Sequence, residues 1–380
     1  MESRTLCDIF YAAVDTHVKP AHLLRKAGGA WEGISSYDFR RAVEELSLGL
    51  RALGLEKGER VALLSENRPE WAFVDLATLT AGAVDVPIYA TLTPAQVLYI
   101  LSDSQARICV VSNVAQLRKV AEVRAQATHL KHVIRMDESA GPAPDGPAPD
   151  TLTLDEVRAR GREALARDPG AVRALAAEVK ADDLATLIYT SGTTGDPKGV
   201  MLTHDNIVSN VRASLQVLSD FSAQDTALSF LPLCHIFERM AGYYLMLAAG
   251  ASIAYAEGVE QVPANMAEVR PTLMCSVPRL YEKMYARILE KVASDPPLRR
   301  RIFKWAMAVG REMFRHRVEK TQPGPLLRFQ AGLAEGLVFS KIKQRVGGRL
   351  RLFVSGGRPW PGRSRSSSAP PGSPSSRATA

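Results

Sequence analysis

Short apolar segments alternate with amphipathic segments along most of this chain, and this alternation limits the fold more than any other feature of the sequence. The segments RVALLS (60–65), VDVPIY (84–89) and RICVVS (107–112) have the composition of buried strands. The segments SYDFRRAVEELSLGLRALGL (36–55) and EWAFVDLATLTAGA (70–83) carry apolar residues at helical spacing. Strands separated by helices form βαβ units, so we predict an α/β fold with mainly parallel sheets.

The same alternation resumes after a segment rich in proline and glycine. Residues 141–150 read GPAPDGPAPD, one pentapeptide twice, and we predict a loop or linker there. At 380 residues the chain is long enough for two or more lobes. Beyond the linker we predict the strands LATLIYT (184–190), DTALSFLPL (225–233), ASIAYA (251–256), PTLMCSV (271–277) and RLRLFVSGG (349–357), and the helices DNIVSNVRASLQVL (205–218), ERMAGYYLMLAAG (238–250) and PRLYEKMYARILEKV (278–292).

The composition disfavours several classes of protein. The formal net charge of +8 suits phosphate-bearing ligands or an anionic membrane surface, but no basic stripe with interleaved aromatic residues indicates nucleic-acid binding. The four cysteines are scattered without a C-x-x-C pair, which favours a reduced, cytoplasmic protein and argues against a zinc site. No apolar run has the length of a membrane span, and the first residues lack the apolar region of a signal peptide.

A loop rich in glycine and hydroxyl groups lies in LIYTSGTTGDPKGVMLTH (187–204), and we predict that it joins a strand to a helix. Glycines let backbone N–H groups approach an anion, and Lys198 adds a positive charge. The loop does not match the Walker A pattern, because Lys198 is followed by Gly199 and not by serine or threonine. The sequence therefore predicts a phosphate-binding loop outside the ordinary P-loop ATPases. The hydroxyl donors are Thr190, Ser191, Thr193 and Thr194.

The segment YTSGTTGDPKGV (189–200) resembles the phosphate-loop signature of the adenylate-forming superfamily, which includes acyl-CoA synthetases, peptide-synthetase adenylation domains and luciferases. The resemblance extends from about Trp31 to Gly357 and implies the large N-terminal domain of that fold, built of stacked α/β subdomains with mainly parallel sheets. Further blocks are similar, in order and spacing, to bacterial long-chain fatty acyl-CoA synthetases: GERVALLSENRPEW, AGAVDVPIYATLTPAQVLYIL, LPLCHIFERM, VRPTLMCSVPRLYEKMYARI and LRLFVSGG.

This resemblance implies an acid–thiol ligase. A long-chain fatty acid would react with ATP, with Mg²⁺ as cofactor, to give an acyl-adenylate, and coenzyme A would then displace AMP to form a thioester. Two alternatives remain open from the sequence. One is a fatty acyl-AMP ligase or another carboxylate adenylator, and the other is a non-catalytic nucleotide-binding fragment.

The resemblance also assigns roles within the phosphate loop. Thr190 would contact Mg²⁺, and Lys198 would neutralise phosphate charge. Since two anions must meet in the first step, charge neutralisation is the main physical requirement. The residues that would cradle the β- and γ-phosphates are Thr190, Ser191, Gly192, Thr193, Thr194, Gly195, Lys198 and Gly199.

Other implied roles fall later in the chain. His235 would line the acyl and adenylate pocket and is the candidate catalytic residue, although it could instead be a core or capping histidine. Phe237 and Arg239 would lie near the acyl entrance. Gly356 and Gly357 match the start of the family's adenine-contacting turn.

A basic amphipathic segment, LRRRIFKWAMAVGREMFRHRVEK, spans residues 298–320. Its apolar face contains Ile302, Ala306, Val309 and Met313. This face could rest on an anionic membrane, which would place a cytoplasmic protein at the inner face of the membrane. Alternatively, the helix docks on the domain and keeps a solvated basic face.

The resemblance ends after Gly357. We interpret residues 1–357 as an incomplete AMP-binding N-terminal domain that lacks the small C-terminal domain, and we expect this chain to be inactive alone. Residues 358–380 are rich in Ser, Pro, Arg and Ala, which predicts disorder. Our hypothesis is a shifted reading frame, because codons read one nucleotide out of register from Arg358 can restore the family's continuation.

Resequencing of the coding DNA tests this hypothesis. We expect independent reads of the natural gene to differ from the present frame at the codons for Gly357 and Arg358. An unchanged frame in those reads would rule the shift out.

Overall fold

Two β-sheets organise the chain in the computed structural model, which describes residues 3–137, 151–190, 196–218 and 220–356. The predicted linker at 141–150 and the predicted disorder at 358–380 lie outside the described residues, as does most of the glycine-rich loop. The strands are β1 (Leu23–Ala27), β2 (Ala30–Ile34), β3 (Arg60–Leu64), β4 (Val84–Ile88), β5 (Ile108–Val111), β6 (His132–Arg135), β7 (Thr151–Thr153), β8 (Leu184–Thr190), β9 (Lys198–Thr203), β10 (Thr226–Ser229), β11 (Ser252–Tyr255), β12 (Leu273–Ser276) and β13 (Leu352–Ser355).

Helices pack between and around the sheets, and many begin at residues that suit a helix start. Thr93 and Thr203 each form a capping box with the residue three positions later, and Pro69 and Pro278 occupy the first turn of their helices. The α-helices are α1 (Leu6–Thr16), α2 (Ser36–Ala52), α3 (Pro69–Thr80), α4 (Pro94–Asp103), α5 (Val114–Val123), α6 (Leu154–Arg167), α7 (Ala171–Ala177), α8 (His204–Val217), α9 (Leu245–Ala248), α10 (Val262–Val269), α11 (Pro278–Ser294), α12 (Pro297–Val318), α13 (Pro325–Ala334) and α14 (Ser340–Arg345), and two π-helical segments cover Glu238–Tyr244 and Glu335–Phe339.

The strand order confirms the predicted mainly parallel architecture. The first sheet has seven strands in the order β7-β6-β5-β3-β4-β8-β9, and the second has six in the order β13-β12-β10-β11-β1-β2. Among the strand pairs of the described residues, only β1–β2 and β8–β9 are antiparallel. The N-terminal strand β1 pairs in parallel with β11, so the second sheet joins residues from both ends of the described chain.

The glycine-rich loop does not lead into a helix, and that prediction is wrong. It connects β8 to the antiparallel strand β9, and α8 begins only after β9. Strand β9 lies at the edge of the first sheet and has several exposed side chains, among them Met201. The apolar run of β9 is only three residues long (200–202) and follows lysine and glycine, so the sequence pattern gave little sign of a strand.

The main core lies between the two sheets. Val61 and Leu63 of β3 face this core, whereas Ala62 and Leu64 face a separate cluster that packs against α4 and α5. This alternation follows from the two-residue period of a strand. On the opposite side of the molecule, α10 and α11 cover the outer face of the second sheet through Met266 and Leu280.

The basic helix predicted at residues 298–320 is α12, and its apolar face packs within the protein. Ala306 and Val309 are buried in a cluster that also includes apolar side chains of α11, α13 and α14. The face expected on a membrane is therefore covered by neighbouring helices, as in the docked alternative. No helix among the described residues is both long enough and apolar enough to cross a bilayer.

Helices α2 and α6 cross at very close range. A Cβ atom at Gly161 would overlap the carbonyl group of Glu45, and one at Gly49 would overlap the carbonyl group of Val157. The buried carboxylate of Glu45 also accepts a hydrogen bond from Arg158 Nε, at 2.9 Å. Glycine at these two positions therefore allows the helix carrying residues 154–167 to dock on α2.

We predict that Gly161→Ala destabilises the chain by about 3 kcal/mol, because the added methyl group meets fixed backbone rather than a movable side chain. Gly332→Ala is the matched control, since Gly332 is at an exposed position of α13 where an added Cβ has no neighbour within 4 Å, and we expect it to stabilise by about 0.5 kcal/mol. Thermal unfolding measures both. Equal melting temperatures for the two variants would contradict the close crossing.

Candidate functional site

The hairpin formed by β8 and β9 carries the described ends of the glycine-rich loop. Thr190 and Lys198 are paired across the two strands, and both are exposed. The predicted site residues between them, at positions 191–195, lie outside the described residues. The pairing brings one hydroxyl and one ammonium group together at the mouth of the loop.

Aromatic side chains support the base of this hairpin. Tyr189 donates a hydrogen bond to Asp103 Oδ2 at 2.6 Å, and Tyr99 donates one to the carbonyl oxygen of Pro197 at 3.0 Å. A Cβ at Gly199 would come within 3.1 Å of the Tyr189 ring, so glycine lets the second strand pass close to that ring. Burial, together with the Asp103 carboxylate, raises the pKa of Tyr189. These contacts give the two ends of the loop a fixed support.

A mainly apolar cavity of about 190 Å³ brings together three residues that the sequence singled out, His235, Phe237 and Gly356. The Nδ1 atom of His235 accepts a hydrogen bond from the backbone N–H of Phe237 at 3.2 Å. A Cβ at Gly356 would lie 2.6 Å from two carbon atoms of the Phe237 ring, so glycine is needed for this packing. The lining residues are Tyr89, Leu231, Pro232, His235, Phe237, Glu238, Val277 and Gly356.

The cavity and the hairpin lie at the carboxyl ends of parallel strands. Tyr89 follows β4, which pairs in parallel with β8, the strand that ends at Thr190. Val277 and Gly356 directly follow β12 and β13, which pair in parallel in the second sheet. In open α/β sheets ligands bind outside these ends of the strands. The arrangement therefore suits a ligand with an anionic part at the hairpin and an apolar part in the cavity.

Sequence reasoning missed Glu238, a fully buried acid that contributes to the cavity wall. Ser229 Oγ donates a hydrogen bond to Glu238 Oε1 at 2.7 Å, and the carboxyl group packs over Gly242, where a Cβ would lie 2.6 Å away. Burial raises the pKa of Glu238 to about 8. The charged pair Glu238 and Arg239 interrupts a mainly apolar stretch of sequence, and this is a signal that could have drawn attention to Glu238.

The placement of Arg239 near an acyl entrance is wrong. Its side chain is completely buried and forms ion pairs with Asp75 of α3 and with Asp85 of β4, the latter at 2.8 Å. It also donates hydrogen bonds to Thr186 Oγ1 at 2.7 Å and to the Tyr244 hydroxyl at 3.1 Å. Arg239 therefore ties the π-helical segment to the first sheet, because buried charges are stable only when they are paired.

Gly357, the last residue assigned to the adenine-contacting turn, lies outside the described residues. The described residues contain no group of three or more His, Cys, Asp and Glu side chains that could hold a metal ion. Within them, the hydroxyl of Thr190 is the oxygen donor that the sequence associated with Mg²⁺.

The family model described as AMP-binding enzyme matches residues 11–364. The chain is 33% identical over 350 residues to the long-chain-fatty-acid–CoA ligase ACSBG1 of Rattus norvegicus, covering 90% of this chain and 47% of the relative. It is 32% identical over 339 residues to the long-chain-fatty-acid–CoA ligase FadD15 of Mycobacterium tuberculosis, covering 88% and 53%. The chain thus spans about half the length of the curated relatives it matches.

Solved structures with the same fold agree with the predicted fold class. A long-chain-fatty-acid–CoA ligase from Archaeoglobus fulgidus superposes with a TM-score of 0.61 and 22% identity, covering 78% of this chain and 55% of the other. The adenylation domain of a carboxylate reductase from Mycobacterium chelonae superposes with a TM-score of 0.65 and 20% identity, covering 93% and 54%. The prediction of the N-terminal adenylate-forming fold is confirmed.

We predict that Glu238 makes the stability of the chain fall as the pH rises. The pKa of Glu238 is about 8 in the folded chain and 4.5 in its ordinary state, so the folded chain holds the proton more tightly than the unfolded chain. This stabilisation is present below pH 4.5 and is lost as the pH rises through about 8. Thermal unfolding between pH 5 and 9 should show a smaller decrease in melting temperature for Glu238→Gln than for the unchanged chain.

Glu290→Gln, at an exposed position of α11, is the control and should keep the original decrease. A Glu238→Gln variant with the same decrease as the unchanged chain would contradict the raised pKa.

Proposed function

The chain belongs to the AMP-binding enzyme family, and we propose that it forms part of a ligase that activates a long-chain fatty acid with ATP and transfers the acyl group to coenzyme A. The observation that carries this proposal is the similarity to proteins named long-chain-fatty-acid–CoA ligase over 90% of the chain. The apolar cavity, which like the hairpin lies at the carboxyl ends of parallel strands, suits the same chemistry, since a fatty acid and a nucleotide must meet in such an enzyme. Because the chain spans about half of those relatives, the proposal concerns the whole enzyme to which such a chain would belong.

The first step joins two anions, a carboxylate and the α-phosphate of ATP. We propose that the loop between β8 and β9 binds the β- and γ-phosphates through its backbone N–H groups and hydroxyls, with Lys198 supplying the positive charge. The exposed position of Lys198 opposite Thr190 supports this role, because a ligand can reach both side chains. Gly199 allows the close packing on Tyr189 that supports the hairpin. The other proposed phosphate-binding residues are Ser191, Gly192, Thr193, Thr194 and Gly195.

The acyl and adenylate portions of the ligand would occupy the cavity at the ends of the sheets. We propose that His235 lines this pocket beside the reacting carboxylate and that Phe237 contacts the acyl chain. Gly356 and Gly357 would offer a backbone surface to the adenine. The exposed imidazole of His235 and the apolar wall of the cavity support these roles.

Mg²⁺ is proposed as the cofactor of the nucleotide. A hard cation of this kind keeps several waters and takes most of its other oxygens from substrate phosphates, so it needs few protein ligands. The Thr190 hydroxyl at the exposed end of β8 fits that limited requirement. When bound, the ion would neutralise phosphate charge.

We also propose a cytoplasmic location. All four cysteines are free and buried, which suits a reducing compartment. The peripheral membrane contact predicted through residues 298–320 remains a prediction. The apolar face of α12 that was expected to contact a membrane packs inside the protein. The large apolar side chains of α12 that are exposed are Leu298, Phe314 and Val318.

We predict that Lys198→Ala weakens ATP binding by about 10- to 100-fold. Hydrogen bonds to charged groups contribute about 1.5–3 kcal/mol each, and each 1.4 kcal/mol corresponds to a tenfold change in affinity. Calorimetric titration of ATP into the chain measures this. Lys180→Ala, another exposed lysine in the same half of the chain, should bind ATP as the unchanged chain does. Equal affinity for ATP in both variants would refute the role of Lys198.

The reaction itself is tested by trapping an acyl-adenylate with hydroxylamine in the presence of palmitate and ATP. This is done for the present chain and for a version with the restored reading frame. We expect palmitoyl hydroxamate from the restored version and palmitoyl-CoA when coenzyme A is added. Hydroxamate without any thioester would favour an acyl-AMP ligase, and ATP binding without hydroxamate would favour a non-catalytic protein.

A further inference from the structure

A second cavity lies at the amino ends of three strands of the first sheet. Strands β3, β5 and β6 are neighbours and run parallel, so their amino ends meet at one edge. The cavity has a volume of about 210 Å³ and shares no lining residue with the cavity that contains His235. We call it the amino-edge cavity. Its lining residues are Glu59, Arg60, Gln105, Arg107, Thr128, His129 and Lys131.

The amino-edge cavity is separate from the candidate site described above. That site lies at the carboxyl ends of the strands, where Tyr89 follows β4 and Thr190 ends β8. Strand β3 pairs in parallel with β4 and has five residues, so the two edges of the sheet are about 15 Å apart. The proposed ligase reaction therefore assigns no role to the amino-edge cavity.

Each of the three strands brings one cation to the amino-edge cavity. Arg60 is the first residue of β3, Arg107 directly precedes β5, and Lys131 directly precedes β6. Glu59 is the one acidic residue among the lining side chains, and it accepts a hydrogen bond from Arg107 Nη1 at 2.8 Å. Three cations and one carboxylate leave an excess of two positive charges, beside which His129 adds an imidazole. The cavity therefore favours an anion.

Hydrogen bonds hold the walls of the amino-edge cavity in place. Arg60 Nε donates to the carbonyl oxygen of Ser104, at the end of α4, at 2.6 Å. The backbone N–H of Lys131 donates to the carbonyl oxygen of Arg107 at 2.7 Å, and the Lys131 carbonyl oxygen accepts from Arg124 Nη2 at 3.1 Å. A site whose walls are already ordered loses less conformational entropy when it binds a ligand.

The cavity also contains donors that a ligand could use. Arg107 Nε is buried and has no hydrogen-bond acceptor among the residues that the structure describes. Buried polar groups nearly always have a partner, in the protein, in water or in a bound ion, and an anion is one source of such an acceptor. The side chains of His129 and Lys131 are exposed, so a solute can reach them.

We propose that the amino-edge cavity binds a small molecule through a phosphate group, which lies between Arg107 and Lys131 with Arg60 beside it. A phosphate group carries close to two negative charges at neutral pH and so matches the excess of two positive charges. A guanidinium presents its donors in a fork that fits phosphate oxygens. Every lining side chain is polar or charged, so a hydrocarbon chain does not suit the cavity. The proposal does not depend on the ligase reaction, because the two sites are separate.

Calorimetric titration of inorganic diphosphate into the purified chain, at fixed ionic strength, tests this proposal. The variant Arg107→Gln/Lys131→Gln should bind diphosphate at least about tenfold more weakly, because the loss of a hydrogen bond to a charged group changes affinity by about that factor. The matched control, Arg160→Gln/Lys180→Gln, removes the same charges at exposed positions outside the cavity and should change the affinity less than about twofold. Lys198→Ala should keep diphosphate binding at the amino-edge cavity, which separates this test from that of the phosphate loop.

A second variant guards against a loss of folding. Lys131→Glu changes one exposed side chain that is outside the core, so the chain should fold normally, and it should still weaken diphosphate binding by about tenfold. Diphosphate should raise the melting temperature of the unchanged chain, since a ligand that binds only the folded state stabilises it. This increase should be smaller in both cavity variants, and circular dichroism without ligand checks that each variant folds.

Ribose 5-phosphate and inorganic phosphate distinguish the two sources of a phosphate group. Both should bind in competition with diphosphate, and both should bind more weakly to the two cavity variants. Tighter binding of ribose 5-phosphate would identify an organic phosphate as the ligand, and tighter binding of inorganic phosphate would identify the free ion. Either order supports a phosphate site at the amino ends of the strands.

Three results would overturn the proposal. Diphosphate binding that is unchanged in both cavity variants but lost in Lys198→Ala would place the anion at the phosphate loop alone. An equal loss of affinity in the cavity variants and in Arg160→Gln/Lys180→Gln would show an effect of net charge and not of a site. Acetate that competes as well as phosphate at the same ionic strength would show that the cavity has no preference for a phosphate group.

Discussion

A single buried guanidinium connects the two sheets of this protein. Arg239 pairs with Asp75 of α3 and Asp85 of β4 and donates to Thr186 of β8, although it belongs to a segment that follows β10 of the second sheet. Its backbone N–H also donates to the carbonyl oxygen of His235 at 3.1 Å. Because charges inside a protein are costly unless they are paired, this cluster permits one relative placement of the elements that it joins. The position of Glu238, the cavity residue at the start of this π-helical segment, depends on that placement.

The candidate site follows from this arrangement. Parallel strands bring their carboxyl ends to one edge, and here two sheets contribute such edges to the same region. One sheet provides an exposed hairpin with a hydroxyl and an ammonium group, and the other provides turns that begin with Val277 and Gly356. An exposed polar hairpin and an apolar cavity thus both lie at the carboxyl ends of strands, although no single sequence motif contains the residues of both.

Local periodicity predicted those elements that bury a continuous apolar run, and it failed where burial depends on distant partners. The bounds of β8 agree with the predicted segment at both ends, because it is a short, mainly apolar run whose side chains are mostly covered. The hairpin of β1 and β2 was missed, although Gly28 and Gly29 with positive φ are a recognised turn signal between two strands. Arg239 and Glu238 could not be placed from the sequence, since a charged residue reads as exposed until its buried partners are known. The glycine-rich loop was singled out from its composition, yet the strand that follows it, β9, was not predicted.

The position of β1 has a consequence for how the protein is made. This strand is translated well before its partner β11, which is more than 200 residues later in the sequence. The backbone N–H of Leu6 likewise donates to His204 Nδ1, at 3.2 Å. During synthesis the edge of β1 in the β1–β2 hairpin therefore stays unpaired until β11 has been translated. Contacts so distant in sequence slow folding, and an open strand edge can pair with other nascent chains, so the β1–β2 hairpin is at risk of mispairing until β11 has been made.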